Sequence, residues 1–157
     1  MPVVTRETWT GFLSELKIPN YQTIVLKSIE RENSTLKKML DKSNSSQGSY
    51  ESGISMGMGI IYRLLQMQSQ TSLPVVTEEI YKSTVSDLVR RYDFALGLRD
   101  KIKEENPVVM GAIYDISSQN SDDPSFSLGF VQGSIMTYEL LRRQAEANKL
   151  EKEVGSS

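Results

Sequence analysis

SYESGISMGMGIIYRLLQMQ, residues 49–68, returns as SFSLGFVQGSIMTYELLRRQ, residues 125–144. The serine, the aromatic residue, both glycines, the tyrosine, the leucine pair and the closing glutamine keep every spacing. The match extends upstream. Pro2-Val3-Val4-Thr5 returns as Pro74-Val75-Val76-Thr77, Trp9 as Tyr81, Leu16 as Leu88, and Ile29-x-x-Glu32-Asn33 as Ile102-x-x-Glu105-Asn106. Self-similarity on this scale is the mark of a repeat architecture. The chain therefore reads as a tandem duplication, with repeat 1 over about 2–72, repeat 2 over about 74–148, and a charged tail, 149–157, that continues outward as a helix and frays. Each repeat lies near the lower limit for an independent core, so a single domain with one shared core is expected across all 157 residues.

The periodicity is helical throughout. Thr5 is placed to cap a helix whose apolar residues Trp9, Leu13 and Leu16 follow at spacings of four and three, and Pro19 ends it. In repeat 2 the stripe from Tyr81 through Val85, Leu88, Tyr92, Ala95, Arg99 and Ile102 predicts one continuous helix of about 28 residues from Thr77. Asn106-Pro107 stops it, and Pro107 suits the first turn of the next helix. Middle helices carry Leu36, Met39 and Leu40 in one copy and Val109, Ala112, Ile113 and Ile116 in the other. Polar loops, 43–48 and 117–124, lead into the matched apolar segments. No strand-like alternation of any length occurs. The predicted fold is all-α, about six helices in two three-helix units around an internal pseudo-twofold.

Composition narrows the chemistry. The chain has no cysteine and no histidine, which removes disulfides, thiolate nucleophiles, the commonest general base and the commonest metal ligand. A net charge of −2 gives no bulk attraction to nucleic acid or to an anionic membrane. Neither a leader pattern nor a membrane-spanning apolar run is read, and the cytoplasm is the expected location.

Gly53, Gly57, Gly129 and Gly133 sit four apart on apolar helices, where glycine costs roughly 1 kcal/mol against alanine. They read either as a groove for a ligand or partner backbone, or as the place where the two central helices cross; the crossing is the simpler account. Tyr62 and Tyr138 read as buried tyrosines with a hydrogen-bond partner rather than as catalytic groups. Gln68 and Gln144 read as helix-surface or helix-end residues. Lys27, Arg31, Lys38 and Lys42 fall at steps of four, seven and four, which would place them on one face of the first middle helix as partner-binding candidates. Interspersed Glu30, Glu32 and Asp41 give that face a second reading, as an ordinary solvated surface. The repeated carboxylates Glu32 and Glu105 lack the Glu-x-x-Glu pairing that duplicated all-helical nucleotide pyrophosphohydrolases use for magnesium. No phosphate-binding loop or nucleophile elbow occurs.

The segment Gly129 to Ala147, with Tyr138, Leu140-Leu141 and Arg142-Arg143-Gln144, resembles the closing helices of small all-helical proteins encoded by bacteriophages and prophages. The resemblance implies an accessory protein that binds and blocks a host protein, host defence nucleases included. The functional expectation is a non-catalytic protein-binding module, a homodimer with a protein partner, needing no cofactor and no metal. A nucleic-acid or small-anion binder using the basic residues is the alternative, and a carboxylate-dependent metal enzyme the second.

Overall fold

The computed structural model describes residues 1–45, 48–91 and 93–155, and among them the chain is all-helical. The eight helices are α1 (Arg6–Glu15), α2 (Tyr21–Glu32), α3 (Ser34–Asn44), α4 (Ser49–Gln68), α5 (Glu78–Arg90), α6 (Phe94–Glu105), α7 (Pro107–Gln119) and α8 (Pro124–Gly155). Among the described residues each half thus holds four helices, not three.

The additional helices come from breaks that the apolar spacing does not reveal. Thr5 and Thr77 cap α1 and α5 by accepting the backbone N–H groups of Thr8 and Ile80. α1 then turns into α2 through Pro19 and Asn20, whose φ of 60° is left-handed, a conformation Asn tolerates better than most residues. In the second half the continuous helix expected from Thr77 ends instead at Arg90, and α6 restarts at Phe94. Tyr92, counted in that stripe, lies outside the described residues. Past the break Phe94, Leu98 and Ile102 are buried in the core, and that burial favours the arrangement over an exposed continuous helix. Asn33 and Asn106 mark a second break in each half. Each closes one helix and opens the next in a non-helical conformation, φ −143° and −147°. Pro107 is the first residue of α7, as expected.

The polar loops are shorter than the composition suggests, because α3 runs to Asn44 and α7 to Gln119; Ser46 and Gln47 lie outside the described residues. The tail is helical too. α8 continues through 149–155 with its side chains exposed, and residues 156 and 157 are not described.

α4 and α8 form the centre and make the most extensive helix pair in the molecule. They meet at their glycines. A Cβ on Gly53 would strike the Phe126 carbonyl oxygen, and one on Gly57 the Phe130 carbonyl oxygen. One on Gly129 would strike the Tyr50 carbonyl, and one on Gly133 the Ile54 carbonyl. Backbone therefore lies against backbone on both sides of the crossing. Around it the buried apolar residues of both halves form one cluster, in which Tyr62, Tyr138, Phe12 and Phe130 are the largest fully buried side chains.

Candidate functional site

Side chains at the helix breaks tie the halves together. Asn33 donates its amide to the Pro74 carbonyl (2.9 Å) and accepts the Val76 N–H (2.9 Å). Asn106 does the same for the other end of the chain, donating to the Pro2 carbonyl (2.8 Å) and accepting the Val4 N–H (2.7 Å). Both asparagines are 1% exposed, so these bonds form away from water. Next to them Tyr62 donates to Glu32 (2.9 Å), and Tyr138 to Glu105 (3.4 Å), while Asn106 also donates to the Tyr138 hydroxyl (3.2 Å). Burial raises the Tyr62 hydroxyl far above the ordinary tyrosine range, and it raises Tyr138 as well. At neutral pH both are protonated hydrogen-bond donors, as a structural tyrosine requires.

Gln68 and Gln144 have a larger role than the sequence suggests. Gln68 accepts from the Thr5 N–H (3.0 Å) and the Thr8 hydroxyl (2.5 Å), and Gln144 accepts from the Thr77 N–H (3.0 Å). Each glutamine holds the start of its own half, while each asparagine holds the start of the other.

Acid–arginine pairs join first to last helix within each half. Arg63 of α4 grips Glu15 of α1 through Nε (3.1 Å) and Nη2 (2.8 Å), and Tyr21 donates to the same carboxylate (2.7 Å). The hydrogen bonds from Arg63 hold the Glu15 carboxyl below the usual range. In the second half Arg143 of α8 reaches Asp87 of α5 (2.8 Å), lies over the Phe94 ring (5.6 Å), and shares the buried Glu139 with Arg142.

The four basic candidates do not form one face. Asn33 separates Lys27 and Arg31 on α2 from Lys38 and Lys42 on α3, so the spacing that aligned them runs across a helix break. Lys38 is bonded to Glu78 of α5 (2.6 Å). Lys27 and Arg31 keep a common face, and exposed Ile24 shares it at three and seven residues' distance.

That face belongs to a corner built by α1 and α2. Ile18 is 50% exposed, Ile24 56% and Leu13 42%, and two adjoining clefts share Ile18, Tyr21 and Val25 as walls. One is further lined by Leu16, Met56 and Ile60; the other ends on Glu15, Arg31 and Arg63. The corner combines exposed apolar side chains with a charged border of Glu15, Arg31 and Arg63.

Among the described residues no three Asp or Glu side chains converge in a way that would hold a metal ion, and no helix is long and apolar enough to cross a membrane. No family model, no curated protein and no solved structure matches this chain.

Proposed function

We propose that the chain is a non-catalytic protein-binding module that self-associates and inhibits or regulates a partner protein, in the setting of a bacteriophage or mobile element. The observation carrying this reading is the α1–α2 corner, where the exposed Ile18 and Ile24 line two adjoining clefts, Arg31 stands at the border and Lys27 shares the helix face of Ile24. Contiguous exposed apolar surface rimmed by polar groups marks association sites. A twofold contact brings the same patch to both sides, and an apolar centre can meet its own copy without opposing like charges. The phage setting rests on the resemblance of the closing helix alone.

We also read the architecture as a duplication about a pseudo-twofold, with four helices in each unit. Support comes from the paired devices: threonine caps at 5 and 77, asparagine clasps at 33 and 106, and the glycine crossing.

Sedimentation velocity tests the functional reading directly. The parent chain should sediment as a dimer at micromolar concentration, and the Ile18→Asp/Ile24→Asp double variant as a monomer with unchanged helicity. Association should respond weakly to salt, unlike a phosphate-binding surface, whose affinity falls steeply. A monomeric parent, or a dimer that the double variant leaves intact, would overturn it.

A further inference from the structure

A third cleft, walled by helices of both halves, lies away from that corner. It holds about 320 Å³ and is walled by Met39 of α3, Ile54 of α4, Leu88 of α5, Leu98 of α6, and Ile135 and Met136 of α8. Among the described residues its lining includes two polar side chains, Arg99 and Gln132. Gln132 already accepts the Tyr50 hydroxyl. Arg99 takes part in no ion pair among the described residues, and its Nε is buried without a hydrogen-bond partner. Arg99 as a whole is half-buried, and a buried N–H without an acceptor costs stability, so an anion that reached this Nε would supply the missing bond.

The internal match sharpens the point. In the register that aligns Asn33 with Asn106, Arg99 stands where the first half has Leu26. There Leu26 packs within reach of Gly59, at 3.4 Å from the position a Cβ would take. The second half has replaced that leucine with a cation beside an apolar cleft. Arg99 also borders a shallow depression whose walls include Tyr114, Ser117, Ser118 and Ser121 beside Leu128 and Val131.

We infer that this cleft binds a free medium-chain carboxylate, its alkyl chain among Leu98, Ile135 and Met136 and its carboxylate on Arg99. The volume corresponds to roughly ten water-sized groups, which an eight-carbon acid fills. A peptide segment fits less well, because every residue of its main chain brings a donor and an acceptor that this lining cannot satisfy. An alkyl chain brings none.

Titration of the full chain with sodium octanoate, octan-1-ol and octyltrimethylammonium, followed by calorimetry and methionine methyl NMR, tests the assignment. Octanoate should bind one per chain and shift the Met39 and Met136 methyls. The alcohol and the cation should bind about tenfold more weakly or worse. Arg99→Leu, which restores the residue type of the first half, should remove the preference for octanoate while the thermal midpoint stays level or rises. Ala95→Phe, which narrows the cleft and leaves the arginine, should weaken all three probes. Absence of octanoate binding at millimolar concentration, equal binding of octanoate and octanol, or an Arg99→Leu chain that binds octanoate like the parent would each overturn the inference.

Discussion

The side-chain oxygen of Asn106 accepts the backbone N–H of Val4 at 2.7 Å, joining residues 102 positions apart. The same side chain donates to Pro2 and to Tyr138, so one buried amide organises the start of the chain, the α6–α7 break and the closing helix.

Replacing Asn106 by Ala should therefore cost about 1–3 kcal/mol, the penalty for leaving a buried backbone N–H without its acceptor. Deleting residues 1–4 should destabilise by a similar amount. Because both changes break the same bonds, combining them should add little, and a double-mutant cycle of urea midpoints reads that coupling. Fully additive losses would mean that the clasp contributes nothing.

Glycines in this chain should respond to alanine with opposite signs. Gly57→Ala and Gly133→Ala push a methyl into facing backbone, which cannot rotate away, and should destabilise by about 1–3 kcal/mol or more. Gly97 in α6 and Gly111 in α7 have open space where a Cβ would go, so alanine there should stabilise each helix by about 0.5–1 kcal/mol. Thermal melts of the four single variants decide the matter.

Alkaline stability should depend on Tyr62 and Tyr138. Their folded hydroxyls hold the proton more tightly than an unfolded tyrosine, whose pKa is about 10. Their contribution is complete below that pH and is lost as pH rises through the folded values. Urea midpoints should fall steadily above about pH 10. The Tyr62→Phe/Tyr138→Phe variant should show a flatter decline from a lower starting point. At the acidic end the sign reverses: Glu15, held low by Arg63, contributes above the ordinary Glu range and loses that contribution as pH falls through its folded value.

Fragments 1–72 and 73–157 should each lack a cooperative melt, since each would expose one side of the glycine crossing and lose the partner of its asparagine. Mixed in equal amounts they should regain helicity by circular dichroism. A cooperative transition in either fragment alone would count against a core built from both halves.

The sequence made the helical class, the threonine caps and the glycine crossing legible because each depends on local spacing or on a cost that needs a reason. It misled past Arg90, where the apolar stripe continues although α5 ends and α6 starts anew at Phe94, with Phe94 and Leu98 buried in the core. The better signal was the repeat itself, whose first copy breaks at the matching place with Pro19. The same oversight merged α2 with α3 and aligned Lys27 and Arg31 with Lys38 and Lys42. Asn33 and Asn106 were visible as a matched pair, but their bonds run to segments far away in sequence, which spacing does not encode. The α1–α2 corner was illegible for the opposite reason: Ile18 and Ile24 look like core residues until the fold leaves them outside.

The bare faces of α4 and α8 also set a timetable for biosynthesis. α4 leaves the ribosome complete at Gln68 with Gly53 and Gly57 uncovered, and its partner begins only at Pro124. At ordinary translation speeds that interval is on the order of several seconds. The nascent first half must spend it with an apolar surface open to water, to chaperones or to another nascent chain. The four glycines that allow the finished molecule its closest contact thus also fix the period in which it is most exposed to misassembly.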